Sequence, residues 1–322
     1  MKLYSSNISK LVLLLAILSM GGCAANIPSI PTHAIGITPI TSPVQGKIVF
    51  VRVDGSDEGL YILSIGGGLK KVMDDLPHSR NPSWSPDGQY IVFDSPTDGV
   101  DQIYIVKVDG SDLRQLTFDD ANSYRPVWSP DGKYIIFLST RGDVLSDQGV
   151  PIQEAYIMKT DGSEQRRLTN SLDTVSGLSW YLKGNLISIT TADTRYTLRT
   201  YTIDLDGMIQ KQIPEFIVDG IPVWSPNGEF IVFHSSVAQS DCSGIIVMDI
   251  SSYDKECLVI EKASPPIWNG APAWSPDGKH IIFSSNLDGD SDIYIVQADG
   301  SNLTQLTNLP GDEGTPVWSP MP

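Results

Sequence analysis

Residues 126–137 read Pro-Val-Trp-Ser-Pro-Asp-Gly-Lys-Tyr-Ile-Ile-Phe, and versions of this stretch recur along the chain. Its tryptophan returns at intervals of 44, 52, 44, 50 and 44 residues. The six positions are Trp84, Trp128, Trp180, Trp224, Trp274 and Trp318. A period of this length and regularity indicates a protein built from repeated structural units.

Each repeat carries the same succession of turns and apolar runs. A Pro-Asp-Gly or Pro-Asn-Gly turn follows the tryptophan in four copies, and these residues each favour turn geometry. A run rich in β-branched and aromatic residues, such as Tyr134 to Leu138, then predicts a strand. A second such run, an Asp-Gly-Ser turn and a short run ending in Leu-Thr follow, as in Ile103 to Thr117. With the tryptophan strand, four strands in roughly 45 residues predict one blade of a β-propeller.

The two ends of the repeat region complement each other. The chain enters at Lys47 to Phe50, a second-strand pattern, and leaves at Pro316 to Trp318, a first-strand pattern. We therefore predict an all-β fold, a six-bladed β-propeller of four-stranded antiparallel blades over residues 46–320. One blade takes three strands from residues 46–73 and its innermost strand from residues 314–319, which closes the ring and removes exposed sheet edges.

The repeat resembles that of TolB-type β-propellers, which also occurs in the propeller domain of prolyl-oligopeptidase-like enzymes. The resemblance rests on PVWSPDGKYIIF, IYIVKVDGSDLRQLT and IYIVQADGSNLTQLT and covers residues 46–320. The six copies make the resemblance highly specific for the fold and only weakly specific for the function. TolB carries an α/β domain before its ring, and the peptidases add a hydrolase domain with a G-x-S-x-G nucleophile. We expect neither domain here, since only a short linker precedes the ring and that motif is absent.

The first 45 residues predict export and anchoring. Residues 1–22 combine Lys2 and Lys10 with the apolar run Leu11 to Leu18, as in a secretory signal peptide. Cys23 follows Met20-Gly21-Gly22, which resembles the lipidation site of bacterial lipoproteins. The alternative is ordinary cleavage after Ala25. Residues 23–45 are rich in Pro, Thr and Ser, which predicts a tether.

The charge balance limits the class of partner. Asp and Glu number 38 against 22 for Lys and Arg, so the net charge is −16. Loss of Lys2 and Lys10 with the signal makes it −18 (−16 − 2). This excludes nucleic-acid binding, which requires a basic face, and disfavours peripheral contact with anionic lipid. The acidity serves solubility alone, or it suits a basic partner or a weakly bound cation.

Besides Cys23, the chain has Cys242 and Cys257. An export compartment favours a disulfide between them. With a turn near Ser252, however, Cys257 should face about Asp249, leaving Cys242 roughly 23 Å farther along an extended strand. Because a disulfide needs Cα atoms within about 7 Å, this register argues against the bond unless the loop before Ser243 bends.

Chain direction alternates within a blade, so a propeller of this kind has two different faces. The Trp-Ser-Pro-Asp-Gly and Asp-Gly-Ser turns fall on one face, where we interpret them as turn chemistry and the tryptophans as packing between blades. The divergent loops fall on the other face, where binding residues usually lie. The partner-binding candidates there are His78, Arg80, Asp120, Tyr124, Arg125, Asp219, Trp268, Asp312 and Glu313. Arg80 and Arg125 occupy equivalent places just before Pro82 and Pro126.

The sequence shows no pattern for a metal or cofactor. The four histidines lack metal-ligand spacing. Asp288 to Asp292 superficially resembles a calcium loop but lacks the following glycine and the closing glutamate, so we interpret it as a polar loop. No catalytic residues are assigned, although carboxylates could meet in the central channel without leaving a linear motif.

We therefore predict a non-catalytic binding or scaffolding propeller whose partners are envelope proteins. We expect it outside the cytoplasm in the bacterial cell envelope, for example in the periplasm, and anchored to a membrane by its lipid. Two alternatives stay open. One is an enzyme, a polysaccharide lyase or hydrolase with its site in the channel, which predicts clustered acids with strongly shifted pKa values. The other is a sensor head for a small ligand or cation.

Overall fold

The computed structural model describes residues 44–320, with gaps. Outside the description are residues 1–43 and 321–322, and within the propeller Ser56, Pro77 and residues 143–144, 146–148, 150, 171–172, 182–185, 194–196, 214–220, 236–242 and 261–268. The described residues belong to a single compact unit. Within them, no helix has the length and hydrophobicity needed to cross a membrane.

The strands form six antiparallel sheets of four, which we number as blades 1 to 6. Blade 1 contains β1 (Lys47–Asp54), β2 (Asp57–Ser64), β3 (Leu69–Lys71) and β24 (Asp312–Trp318). Blade 2 contains β4 (Arg80–Trp84), β5 (Tyr90–Thr97), β6 (Val100–Lys107) and β7 (Arg114–Gln115). Blade 3 contains β8 (Ser123–Trp128), β9 (Tyr134–Ser139), β10 (Glu154–Lys159) and β11 (Arg166–Arg167).

The remaining three blades repeat the same order. Blade 4 contains β12 (Thr174–Tyr181), β13 (Leu186–Ala192), β14 (Leu198–Ile203) and β15 (Ile209–Ile213). Blade 5 contains β16 (Val223–Trp224), β17 (Phe230–Ser235), β18 (Gly244–Asp249) and β19 (Lys255–Ile260). Blade 6 contains β20 (Asn269–Trp274), β21 (His280–Ser285), β22 (Asp292–Gln297) and β23 (Thr304–Gln305). The predicted six-bladed propeller is confirmed.

The chain ends close the ring as the sequence predicts. β24 pairs with β1, so that Trp318 lies opposite Ile48 and Glu313 opposite Arg52. The backbone continues this pairing, since Ser319 N donates to Lys47 O at 2.8 Å. The innermost strand of each blade contacts that of the next blade, and β20 contacts β24. Blade 1 is thus completed by the last strand of the chain.

Apolar clusters fill the six junctions between neighbouring blades, and each contains one repeat tryptophan. Between blades 1 and 2, Trp84 packs with Val49 and Leu60. Between blades 6 and 1, Trp318 packs with Ile282 and Phe50. The indole N–H of Trp84, Trp180 and Trp274 also donates to a backbone carbonyl of the preceding blade's innermost strand, at Val317, Val127 and Val223 respectively. The tryptophans therefore join blades through both apolar contact and hydrogen bonds.

Repeated turns bond to one another on one side of the ring, which we call the turn face. In blade 2, Ser85 Oγ donates to Asp87 Oδ1 at 2.6 Å, and Gln89 N donates to the same oxygen at 3.0 Å. The neighbouring Asp-Gly-Ser turn joins it where Val108 N donates to Gln89 O at 3.0 Å. The same bond occurs in blades 5 and 6. The opposite side, where blades are connected to one another, is the loop face.

The threonine of each Leu-Thr ending fixes the start of a third strand. Thr117 Oγ1 accepts a hydrogen bond from Ile103 N at 2.9 Å. Thr169 and Thr307 do the same for Ala155 and Ile293. A buried hydroxyl thus satisfies a backbone donor that has no strand partner, which explains why this short sequence ending recurs.

The expectation that Cys257 remains unpaired is wrong, because Cys257 is disulfide-bonded. The turn between β18 and β19 runs from Asp249 to Asp254, so Cys257 faces Ile246 rather than Asp249. The sequence-based register therefore placed it three residues too far from Ser243. Cys23 and Cys242, the other cysteines of the chain, lie outside the described residues.

Candidate functional site

A cleft of about 500 Å³ opens on the loop face where the ring closes. It lies among blades 6, 1 and 2, and we call it the ring-closure cleft. Three of the predicted candidates, Arg80, Asp312 and Glu313, line it. Its full lining is Val51, Val53, Arg80, Asn81, Asn286, Gly289, Ser291, Asp312, Glu313, Gly314 and Thr315. Its volume is typical of sites for small ligands or single side chains.

A bulge shapes the rim of the cleft. The residue before the proline of the innermost strand has a left-handed backbone in four blades, with φ of 50° at Asn81, 51° at Arg125, 47° at Ala271 and 48° at Thr315. Strand pairing shifts register at the same places. Arg125 is therefore equivalent to Asn81, not to Arg80, so the sequence-based pairing of the two arginines is wrong by one residue.

Asp94 forms a buried centre behind Arg80 and Asn81. Its side chain is 1% exposed, and its Oδ1 accepts hydrogen bonds from Arg125 N and Asn81 Nδ2, both at 2.8 Å. Arg80 Nε lies 3.7 Å from Oδ2, while the Arg80 guanidinium also pairs with Asp101. Burial raises the pKa of Asp94 to about 6, against the effect of these hydrogen bonds.

A second buried acidic feature of the cleft is a pair of carboxyl groups, Glu313 and Asp292, with Glu313 itself part of the lining. Both residues are 1% exposed. Asp292 accepts from Gln305 Nε2 at 3.1 Å and Thr307 Oγ1 at 3.3 Å. The carboxyl group of Glu313 contacts Asp292 and the Thr307 hydroxyl, and no N–H group of the described residues bonds either of its oxygens. Burial, followed by contact with Asp292, raises the pKa of Glu313 far above the usual range of a glutamate. Because two adjacent carboxylates repel each other, the pair holds a proton.

Arg52 connects this pair to blade 1. Its Nε lies 3.8 Å from Glu313 Oε1. The other nitrogens are occupied, since Nη1 donates to Asp57 at 2.6 Å and Nη2 donates to Asp54 at 2.8 Å and to Pro310 O at 2.9 Å. Arg52 is therefore held in place by other residues and does not form a hydrogen bond to Glu313.

The remaining candidates lie elsewhere. His78 is largely exposed, with Nδ1 2.5 Å from Glu58 Oε2. Tyr124 packs against the apolar cluster of blades 3 and 4, and burial raises its pKa to about 12. Arg125 donates through Nη1 to Ser176 O at 2.7 Å, so it joins blades 2, 3 and 4. Asp120 is exposed outside the cleft lining, and Asp219 and Trp268 lie outside the described residues.

The acidic segment Asp288 to Asp292 reaches the cleft through Gly289 and Ser291, which line it. Asp288 accepts hydrogen bonds from Tyr294 at 3.0 Å and Gln305 at 2.7 Å. Asp312 Oδ1 accepts from Ser291 N at 3.1 Å, which ties the loop to β24. Across the described part of the chain, no group of three or more His, Cys, Asp or Glu residues is arranged to hold a metal ion.

Sequence reasoning missed Arg52, Asp94 and Asp292, although the repeats contain a signal for two of them. The blades can be compared at the two residues that follow one recurring apolar residue of the second strand. That residue is Phe93 in blade 2 and phenylalanine in every blade but blade 4, which has Ile189. At the place of Asp94 the other blades have Val51, Leu138, Thr190, His234 and Ser284. At the place of Arg52 the other blades have Ser95, Ser139, Thr191, Ser235 and Ser285. A charge that occurs in only one copy at a buried position marks a departure from what the fold alone requires.

Solved structures support the fold and vary in function. TolB from Acinetobacter baumannii is 21% identical, with a TM-score of 0.69 over 86% of this chain and 67% of that chain. A putative TolB from Agrobacterium tumefaciens is 20% identical, with a TM-score of 0.61 over 84% and 91%. An oligogalacturonate lyase from Vibrio parahaemolyticus is 13% identical, with a TM-score of 0.55 over 77% and 73%. Identities this low show the fold alone. No curated protein matches the chain significantly.

The family model described as "TolB beta propeller domain" matches residues 25–268 and 237–321. These ranges contain all six repeat tryptophans and every strand of the ring. The chain belongs to the TolB β-propeller domain family.

Proposed function

We propose that this chain is a non-catalytic binding propeller, anchored in the bacterial envelope, whose loop face recognises a partner protein. The observation that carries the proposal is the difference between the two faces. The turn face uses its Asp and Ser side chains to bond its own turns. The loop face instead brings Arg80, Asp312 and Glu313 together at an open cleft. The family membership supports the fold on which this arrangement depends.

An exposed aromatic side chain adds to the loop face. Phe118 is 76% exposed and directly follows Thr117, where blade 2 connects to blade 3. Aromatic side chains are frequent contact anchors in protein interfaces. Sequence reasoning assigned that role to Trp268, which lies outside the described residues. Together with the net charge of −16, these features favour a partner that presents apolar and basic groups.

A charge reversal on each face tests the binding surface. Asp312 is exposed at the cleft, and Asp206 is exposed in a turn of blade 4 on the opposite face. We expect Asp312→Lys to reduce recovery of the crosslinked partner from envelope extracts at least tenfold, and Asp206→Lys to leave it unchanged. Asp206→Lys should melt close to the wild type, because exposed substitutions usually change stability by less than about 0.5 kcal/mol. Asp312→Lys also loses the hydrogen bond from Ser291 N and should cost about 1 kcal/mol, too little to unfold the chain. Equal recovery by both variants would remove the loop face as the binding surface.

The proposed location rests on the N-terminal sequence, which lies outside the described residues. Residues 1–22 form the proposed lipoprotein signal, Cys23 the lipid attachment point and residues 23–45 the tether. We expect Cys23→Ser to move the protein from the membrane fraction to the soluble extracytoplasmic fraction and to abolish labelling with a fatty-acid analogue. Retention in the membrane with no change in labelling would contradict the anchor.

One observation favours an enzyme as a second candidate. Buried acids with raised pKa values, here Asp94, Asp292 and Glu313, are what a catalytic acid or base requires. The acidic cleft does not suit a polyanion such as an oligogalacturonate, the substrate named for the Vibrio parahaemolyticus lyase. A neutral oligosaccharide is the better test substrate. Turnover by the wild type that disappears in Glu313→Gln would establish this alternative over the binding role.

A further inference from the structure

We infer that the ring-closure cleft is a binding site for a guanidinium group, with the carboxylate of Glu313 as its receptor. The group can belong to an arginine side chain of a partner protein, in which case the inference rests on the proposed function. It can also belong to a free guanidinium compound. Both sources present the same planar set of N–H donors.

The carboxyl group of Glu313 is buried yet incompletely bonded. The residue is 1% exposed and lines the cleft. Apart from the proton that it shares with Asp292, neither of its oxygens has a hydrogen bond of normal geometry from a donor of the described residues, and Thr315 Oγ1 has no such partner either. Buried acceptors without donors are costly and uncommon in native structures. A ligand that brings donors into the cleft would remove that cost.

The neighbouring cations of the protein fill this role only in part, because Arg52 Nε pairs with Glu313 at a distance too long for a hydrogen bond and has no other partner among the described residues. Arg52 Nε stays at 3.8 Å from Glu313, while its other nitrogens bond Asp54, Asp57 and Pro310. Arg80 is engaged by Asp101 and lies near Asp94. The hydroxyl of Thr307 lies near both acids, because it donates to Asp292 at 3.3 Å and also lowers the pKa of Glu313. Once the proton shared with Asp292 leaves, the Glu313 carboxylate can therefore accept further hydrogen bonds from a ligand in the cleft.

The chemistry of the cleft selects an organic cation. The two oxygens of the deprotonated Glu313 carboxylate match the parallel N–H groups of a guanidinium, which form the bidentate pair that gives this interaction its strength. Other acids lie close to the site, namely Asp312 in its lining, Asp292 in contact with Glu313, and Asp288 with Asp290, which act on Asp292. A metal ion is the weaker match, because the described residues provide no cluster of three ligands.

Binding should release a proton, since the carboxyl pair of Glu313 and Asp292 holds one at neutral pH. The groups that face this pair are Arg52 from β1, Arg80 from β4, Asp288 and Asp290 from the loop before β22, and Asp312 on its own strand. None of the facing groups is a histidine. A guanidinium keeps its charge at all accessible pH values. Its affinity should therefore rise with pH between 6 and 8, by up to about tenfold per pH unit.

Calorimetry with capped amino acids tests the inference on the full-length chain. We expect N-acetylarginine amide to bind the wild type, with release of about one proton when buffers of different ionisation enthalpy are compared. N-acetylcitrulline amide, which has the same shape without the charge, should bind at least tenfold more weakly. Glu313→Gln should weaken arginine amide binding at least tenfold, and the turn-face variant Asp206→Asn should leave it within twofold.

Three results would overturn the inference: equal affinity for the citrulline compound, unchanged affinity in Glu313→Gln, or no saturable binding by the wild type. The proton release is measured on the wild type, so it decides the question even if Glu313→Gln folds poorly. Displacement of the captured partner by arginine amide identifies a partner side chain as the source, and binding without displacement identifies a free compound. Partner capture that survives Asp312→Lys would defeat the proposed function while leaving this calorimetric result standing.

Discussion

The carboxylates of the two faces differ in chemistry although they are the same residue types. On the turn face, serine hydroxyls and backbone N–H groups donate to each aspartate and lower its pKa, as at Asp87, Asp109, Asp131, Asp161, Asp249 and Asp299. On the loop face, burial raises the pKa of Asp94, Asp292 and Glu313. The turn-face acids stabilise the fold when ionised, and the loop-face acids stabilise it when protonated.

Asp94 gives the clearest test of this difference at the scale of one residue. Its pKa is about 6 in the folded chain and about 3.9 when unfolded, so the folded state holds the extra proton between these values. The contribution of Asp94 to the free energy of unfolding should therefore fall as pH rises from 4 to 6. Asp94→Asn cannot ionise, and we expect its stability relative to the wild type to increase by up to about 3 kcal/mol between pH 4 and 7.

Urea denaturation at pH 4, 5, 6 and 7 measures this difference. Asp98→Asn is the matched control, because it removes an exposed carboxylate from the same hairpin of blade 2. Its stability relative to the wild type should stay constant across the series. A constant difference for Asp94→Asn as well would show that Asp94 does not carry the proton assigned to it.

At this scale the sequence predicted the candidate positions Arg80, Asp312 and Glu313 because the copies diverge there, although the structure places these residues at the starts of β4 and β24. It did not predict Asp94 or Arg52, which lie within strands where alternation normally implies packing. It also misassigned Arg125, whose backbone N–H and guanidinium bond neighbouring blades. Which polar group a side chain meets depends on contacts between blades, and these leave no trace in the order of residues.

Among the elements, the Asp-Gly-Ser turns lock each blade against the one before it. Gly110 has φ of 92°, and a Cβ built there would lie 2.3 Å from Val72 O of blade 1. Gly99, in the other hairpin turn of blade 2, has a similar φ of 84° but nothing within 4 Å of a built Cβ. The two positions share backbone strain and differ only in the approach of the neighbouring blade.

Replacing each glycine by alanine separates those two effects. Gly99→Ala should cost about 1 kcal/mol, the cost of a side chain at positive φ. Gly110→Ala should cost at least about 2 kcal/mol more, because the turn must move away from Val72 and break packing between blades. Thermal and urea unfolding measure both variants. Equal losses would mean that the close approach of blade 2 to blade 1 has no energetic importance.

The sequence predicted the succession of strands and turns well, because a Pro-Asp-Gly turn and an alternating apolar run are local signals. It was less accurate where pairing depends on the exact turn. The turn from Asp249 to Asp254 placed Cys257 opposite Ile246, three residues from the predicted position. Strand register depends on turn length, and a single extra turn residue shifts every partner that follows.

For the whole molecule, the two sets of acids oppose each other across the pH scale. The turn-face aspartates, and Asp57 with a pKa of about 2, lose their stabilising charge as pH falls below about 4. Asp94, Asp292 and Glu313 become unfavourable as they ionise above that pH, and the net charge of −16 adds repulsion. We therefore expect maximum stability between about pH 4 and 5, with a decline toward pH 8. Chemical denaturation over this range measures it, and a maximum at or above neutral pH would contradict the assignment.

The architecture could be predicted at this scale because six copies of one unit report the same fold, and the two incomplete ends complete one blade. The ring-closure cleft could not be predicted from the sequence. It joins Asn286 of blade 6, Val51 of blade 1 and Arg80 of blade 2, which come together only after the last strand pairs with the first. Closure of the ring therefore creates both the stable fold and the proposed binding site.

Site-specific photocrosslinking in the native envelope tests this account most directly. A photoreactive residue placed at Asp312, and in separate proteins at Phe118 and at Asp206, samples the cleft, the outer loop face and the turn face. The account predicts a partner crosslink from Asp312 and Phe118 and none from Asp206. Crosslinks from Asp206 alone, or none from the loop face while the partner remains bound, would contradict it.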